Sequence, residues 1–192
     1  WLLANLKGSL LLATSNRSEV AMGYATMDGD TAGGFAPLGG IDKAYLRQWL
    51  VWAEKHCSWG MGPLPALSYI NSQSPTAELR PKEREQVDEV DLMPYEILDR
   101  IESCFIKDLM EPKAILAALE LEFCNYGKKD LVEYLQRFLR LWSQNQWKRE
   151  RYAPSFLLDN NSLDPKTWCR FPILSSGFRH EIEELGEELT KE

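Results

Sequence analysis

The sequence predicts an α/β chain, with a short piece of parallel sheet at the front and a mostly helical second half. Three observations carry this. Ser9-Leu10-Leu11-Leu12-Ala13 is a continuous apolar run of the length that suits a strand covered on both faces. The run ends in Thr14-Ser15-Asn16, and a helical pattern through Val20, Ala21 and Tyr24 follows at once. From Pro94 onward, apolar residues recur at helical spacing in successive stripes.

The elements follow in order. Asn16 is placed to cap the first well-marked helix, and Glu19, three residues on, completes a capping box. Gly29, Gly33, Gly34, Pro37, Gly39 and Gly40 crowd the next stretch into a loop whose backbone can approach a ligand closely. Asp42 is expected to cap a second helix carrying Tyr45, Leu46, Trp49, Leu50 and Ala53. Residues 57–65 break it, residues 66–70 read as a second short strand, and residues 80–91 read as a charged, mobile surface loop. Pro94 and Pro112 both suit a first helical position. Three stripes then read as core: Ile97, Leu98, Ile101 and Phe105; Ile115, Leu116, Leu119 and Phe123; and Leu131, Tyr134, Leu135, Phe138 and Leu141. Gly127 is expected to end the second of these helices. Beyond Trp147 the pattern turns irregular, and residues 180–192, with six glutamates against one lysine, read as a solvated helix or frayed tail.

Composition narrows the function classes. The 192 residues carry 22 Lys+Arg against 29 Asp+Glu, a formal charge of −7 and the wrong sign for holding nucleic-acid phosphates as a main task. No apolar run approaches the roughly 18 residues of a membrane span, and no leader pattern is present, so the expectation is a soluble, cytoplasmic protein. Cys57, Cys104, Cys124 and Cys169 are far apart, with no C-x-x-C pair, and are expected to be reduced thiols. With two histidines in the chain, a zinc site has little support. His56 and Cys57 are neighbours, but adjacent helical positions point about 100° apart, which disfavours a catalytic dyad. The chain opens directly on the apolar Trp1-Leu2-Leu3-Ala4 and is read as part of a longer one.

Candidate chemistry concentrates in the first 80 residues. Thr14-Ser15-Asn16-Arg17-Ser18-Glu19 is followed by Gly23-Tyr24-Ala25-Thr26, Gly29-Asp30, Gly33-Gly34-Phe35-Ala36-Pro37 and Lys43. Next come Ser74-Pro75-Thr76-Ala77-Glu78-Leu79, Gln86-Val87-Asp88-Glu89 and Pro94-Tyr95-Glu96. This ordered set, over roughly the first hundred residues, resembles the synthetase domain of the glutamine-dependent NAD synthetase family. Gln146-Trp147-Lys148-Arg149 and Ala153-Pro154-Ser155 resemble its later part more loosely.

The resemblance implies the later part of an adenine-nucleotide α-hydrolase-like, Rossmann-like parallel sheet over residues 1–110, with a helical extension over residues 111–192. It implies amidation of deamido-NAD to NAD with ATP and Mg²⁺, through an adenylated intermediate. Ammonia would come from glutamine through a glutaminase domain of the same parent chain, and the enzyme would be a homo-oligomer. Thr14, Lys43 and Thr76 are the implied ATP contacts. Glu19, Tyr24, Ala25, Thr26, Met27, Asp30 and Lys148 are the implied deamido-NAD contacts, and Glu19 is also the implied metal ligand. The pattern departs from the ammonia-only branch at Met27 and Gly34, where that branch tends to carry lysine and aspartate. The family's Ser-Gly-Gly-x-Asp-Ser loop is not among these residues, so the 192 residues alone are expected to be inactive.

Read without the resemblance, Glu19 is sufficiently explained as a capping glutamate, Lys43 as a surface lysine, Thr76 as a loop hydroxyl, and Lys148, Arg149 and Arg151 as cations at a helix C-terminus. Two other functions fit the residues: another ATP-pyrophosphatase amidotransferase of the GMP-synthetase kind, and a non-catalytic helical assembly module built on the three stripes. Asp88 and Glu89 receive no acid/base role.

Overall fold

Two short helices open the chain, α1 (Leu2–Lys7) and α2 (Arg17–Met22), in the computed structural model, which describes residues 1–56, 60, 62–76 and 87–190. The expected capping box forms at α2: the Asn16 side chain accepts from the Glu19 N–H at 3.0 Å, and the Glu19 carboxylate accepts from the Asn16 N–H at 3.2 Å. Gly23, at φ 61°, ends α2 in the left-handed conformation that favours glycine.

The strand expected at residues 9–13 is reduced to one parallel bridge between Leu12 and Phe35, and no strand forms among the described residues. The Ala13 N–H donates to the Phe35 carbonyl and the Gly34 N–H to the Leu11 carbonyl, each at 2.8 Å. One neighbour on one side cannot propagate a ladder, and Leu10 and Leu12 are exposed rather than covered on both faces.

Helix α3 (Lys43–His56) begins where expected, but Asp42 does not cap it with its carboxylate, which is held by Arg17. The first N–H groups of α3 are taken instead by Ser18 and Asp99. The second predicted strand is also corrected. A 3₁₀ turn at Pro65–Leu67 leads into α4 (Ser68–Asn71), because proline fixes φ near the helical value and no strand lies alongside among the described residues. The break expected over residues 57–65 and the charged loop over 80–91 fall partly outside the described residues. Within them, α5 (Asp88–Asp91) is a helical turn whose Asp88 is buried and accepts from the Tyr95 hydroxyl at 3.1 Å, so this end of the segment is packed.

Pro94 precedes α6 (Tyr95–Glu102) as its N-cap, one residue earlier than expected, and α6 runs into a π-helical turn at Ser103–Lys107. Helix α7 (Pro112–Glu122) has Pro112 at its first position. It ends before Gly127, which instead precedes α8 (Lys128–Gln144). A one-turn α9 (Gln146–Arg149) closes that run, and after an irregular stretch α10 (Arg179–Glu187) packs against α7 and α8. The acidic tail is therefore not frayed over this length: Leu185 is fully buried, and Gln136 donates to the Ile182 carbonyl at 2.7 Å.

The core is where the three stripes place it. Ile97, Leu98 and Ile101 of α6, Ile115 and Leu119 of α7, and Leu135 and Phe138 of α8 join one buried cluster with Val20 and Met22 of α2. Phe105 meets Phe138, Trp142 and Phe178 edge-on at 5.4–5.6 Å between ring centres. Through this cluster α8 fixes α2, and α2 fixes the candidate site. No helix among the described residues is long and apolar enough to cross a membrane.

Candidate functional site

Most of the predicted site residues gather at opposite ends of α2. At its start, Glu19 serves the capping box and also accepts from the Lys43 ammonium at 2.9 Å. One Glu19 oxygen takes the Asn16 N–H and the other takes Lys43, so the capping role read from the sequence forms together with an ion pair. Lys43 is the first residue of α3, a position where a cation is disfavoured by the helix dipole, and the Glu19 carboxylate offsets that cost. Its ammonium also lies 5.7 Å from the centre of the Tyr95 ring. Thr14 and Thr76 are exposed, Thr14 just ahead of α2 and Thr76 where the described part of its loop ends.

At the far end of α2, a groove of about 410 Å³ is lined by Tyr24, Ala25, Thr26, Asp30, Asn145 and Lys148, among others. The groove exists because Gly23 turns the chain sharply and residues 145–149 pack against the turn. The Lys148 ammonium donates to the Gly23 and Ala25 carbonyls at 2.9 and 3.0 Å. Tyr24 lines the groove with its ring edge anchored, its hydroxyl donating to Asp91 at 3.3 Å. Asp30 accepts from the Thr26 N–H at 2.7 Å, which shapes the loop. Met27 is half-buried in the same loop but does not line the groove. Arg151 pairs with Asp28 at 2.7 Å, outside the groove and exposed.

The sequence reading missed the group that braces the first end. Arg17 is almost wholly buried, and its guanidinium donates to Asp42 at 2.5 and 2.6 Å, to Asp159 at 2.6 and 3.0 Å and to the Asn161 carbonyl at 2.9 Å. The fully buried Glu102 lies 3.0 Å from Arg17 Nε. Burial works against the charge on Arg17, but the hydrogen bonds to Asp42 and Asp159 and the charge of Glu102 outweigh it, so its pKa is raised. Burial and the neighbouring Asp42 push Glu102 well above the ordinary carboxylate range. Asp42, Asp99 and Glu102 each bring an oxygen within 4.8 Å of the others, a grouping that could suit a metal ion, but Arg17 already supplies positive charge there. A partial signal was available. An arginine one residue into a helix that packs by its apolar face needs carboxylates, and Asp99 interrupts a buried stripe. Nothing local points to Asp159, 142 residues away.

Asp99 ties this brace to α3. It accepts from the Ser18 hydroxyl at 2.5 Å and from the Ala44 N–H at 3.0 Å, while Ser18 accepts from the Lys43 N–H at 2.9 Å. Burial pushes the Asp99 pKa up to about 7, the charge of Asp42 adds to the rise, and the Ser18 and Ala44 hydrogen bonds limit it. A carboxyl whose pKa rises on folding stabilises the fold fully below its unfolded value, near 3.8, and that contribution is lost as pH rises toward 7. Asp99→Asn, which keeps an acceptor for Ala44 and turns the acceptor facing Ser18 into a donor, is therefore expected to flatten the fall in stability between pH 4 and 7. The change in slope should be of the order of one proton, ~1.4 kcal/mol per pH unit at most, read from urea midpoints across that range.

A family model described as NAD synthase matches residues 1–151. Over 177 residues the chain is 37% identical to a glutamine-dependent NAD(+) synthetase of Xylella fastidiosa, covering 92% of this chain and 29% of that protein. It is 39% identical over 171 residues to one of Aquifex aeolicus, covering 88% of this chain and 26% of that protein. A crystal structure of a glutamine-dependent NAD(+) synthetase from Cytophaga hutchinsonii superimposes with a TM-score of 0.77 at 46% identity, covering 96% of this chain and 28% of that one. The chain thus spans less than a third of the length of these relatives. With the family's pattern running unbroken from the apolar front through the Lys148 turn, the chain belongs to the NAD synthase family.

Proposed function

We propose that these residues form part of the synthetase unit of an enzyme that converts deamido-NAD to NAD, using ATP and ammonia drawn from glutamine. The observation that carries this reading is the placement of two lysines at opposite ends of a six-residue helix, about 9 Å long at 1.5 Å per residue. That spacing separates a phosphate-facing end from a groove that can seat a ring and a negatively charged group.

Each end has a role in the proposed reaction. Lys43, with Thr14 and Thr76, holds the ATP phosphates, and Glu19 orients Lys43 toward them. Tyr24, Ala25, Thr26, Asp30 and Lys148 receive deamido-NAD in the groove, which Met27 does not line, with Tyr24 offering a ring and Lys148 a cation to meet an anion. The nicotinate carboxylate attacks the α-phosphorus. A carboxylate–phosphorus bond forms, the bond to the bridging oxygen breaks, and diphosphate leaves with its electron pair. Ammonia then attacks the carbonyl carbon, AMP departs, and the nitrogen loses a proton to give the amide. No protein nucleophile is needed, and the chain's task is to neutralise charge on the outgoing diphosphate. Mg²⁺ is ordinarily held by one or two carboxylates together with substrate phosphates; Glu19 would be the carboxylate here, and the ion would supply further neutralisation.

The parallel bridge at Leu12 and Phe35 and the likeness to the Cytophaga structure support assigning residues 1–110 to the later part of an adenine-nucleotide α-hydrolase-like sheet. Residues 111–192 form its helical extension. A glutaminase domain of the same parent chain, a homo-oligomer and a cytoplasmic location complete the reading. Competition binding on a protein of the relatives' full length tests it. Deamido-NAD should displace a labelled dinucleotide and xanthylate should not, and the reverse order would favour a GMP-synthetase-like enzyme.

A further inference from the structure

The C-terminal turn of α2 is held by side chains more than a hundred residues away. Carbonyls at a helix end have no intrahelical partners and are ordinarily left to water or to a local cap. Here Arg149 donates to the Ala21 carbonyl at 2.8 Å, Asn145 to Met22 at 2.8 Å, and Lys148 to Gly23 at 2.9 Å and Ala25 at 3.0 Å. A short segment therefore follows the turn carbonyl by carbonyl.

Two features distinguish this from cations decorating a helix end. Arg149 is 1% exposed, and no carboxylate pairs with it among its described hydrogen bonds. Its guanidinium lies 3.9 Å from the Trp142 ring centre, and it also donates to the Gln146 side chain and the Trp142 carbonyl. A buried guanidinium held by carbonyls and an aromatic face has a fixed plane and direction. Asn145 packs so closely on Gly23 that a Cβ there would lie 2.3 Å from the Asn145 Cβ. The turn and the segment are thus fitted to each other at van der Waals limits.

Lys148 has three ammonium protons, and two go to the turn carbonyls. Where the turn goes, the ammonium follows. We propose that Asn145 and Arg149 are positioning residues for the deamido-NAD half of the site: by fixing the α2 C-terminus they set both Lys148 and the groove wall at Tyr24, Ala25 and Thr26. This rests on the functional reading above and adds two residues to it.

The test uses the full-length enzyme with Asn145→Ala and Arg149→Lys. The second variant keeps a cation where Arg149→Ala would leave a large buried void. Each should raise KM for deamido-NAD at least fivefold while KM for ATP stays within twofold and glutaminase activity is unchanged. Amide hydrogen exchange should speed up at residues 23–26 and not at the start of α3. A general loss of folding would instead move both KM values and exchange throughout the core, and that result would overturn the proposal. Wild-type enzyme that deamido-NAD fails to saturate would overturn the functional reading itself. A saturable wild type whose variants keep both KM values and their exchange at 23–26 would overturn the positioning roles alone.

Discussion

Arg17→Ala is expected to destabilise the fold by about 3–5 kcal/mol, the range for breaking a buried ion pair by removing one partner. The loss follows from what stays behind. Glu102 keeps its full burial, Asp42 stays half-buried, and Asn161 keeps a carbonyl facing the vacated space, with no cation to balance them. Asp159 is half-exposed, so Asp159→Asn should cost far less than Arg17→Ala. Urea unfolding of the three proteins checks this, and a loss below about 1 kcal/mol for Arg17→Ala would mean that the cluster is solvated or rearranges freely. Because Asp42 and Asp99 flank the start of α3, the same variant should also loosen Lys43.

Lys43→Ala is expected to depress adenylate formation from deamido-NAD by at least tenfold in the full-length enzyme, with glutaminase activity still measurable. Removing the ammonium takes away charge that the departing diphosphate needs, and each factor of ten corresponds to about 1.4 kcal/mol of barrier. The substitution leaves the capping box at Asn16 intact, so α2 should persist and the effect should lie in chemistry rather than folding. Diphosphate release without added ammonia reads adenylation separately from amide formation. Unchanged adenylation would favour the reading in which this chain is a helical assembly module.

The helical half of the fold was legible because its signal is local. Ile97, Leu98 and Ile101, or Leu131, Leu135 and Phe138, declare a buried face by spacing alone, and the structure buries each of them. The capping box at Asn16 and Glu19 is similarly a short-range pattern with a fixed geometry. The front was harder, because an apolar run such as residues 9–13 implies a strand only if neighbouring strands are there to pair with it. Among the described residues a single bridge to Phe35 is what it finds. Residues 66–70 misled in the same way: they carry strand-like residues, but Pro65 sets a helical φ and no strand partners them among the described residues.

The site divides along the same line. The motifs singled out Lys43, Glu19, Tyr24 and Lys148, and the structure pairs the first two and sets the others along one groove. Asp42 was misread because a capping aspartate and an aspartate held by arginine look alike in sequence; Arg17 takes it, and Asp99 and Ser18 take its place on α3. Arg149 showed in the sequence only as one of three cations at a helix C-terminus and Asn145 not at all, since the carbonyls they hold on α2 lie more than a hundred residues away.

The most direct measurement is a crystal structure of the full-length protein with deamido-NAD and a non-hydrolysable ATP analogue. The account predicts the pyridine ring in the groove beside Tyr24 and Lys148, and the polyphosphate against Lys43 at the opposite end of α2. Both ligands lying away from these two lysines, in an intact and active enzyme, would contradict it.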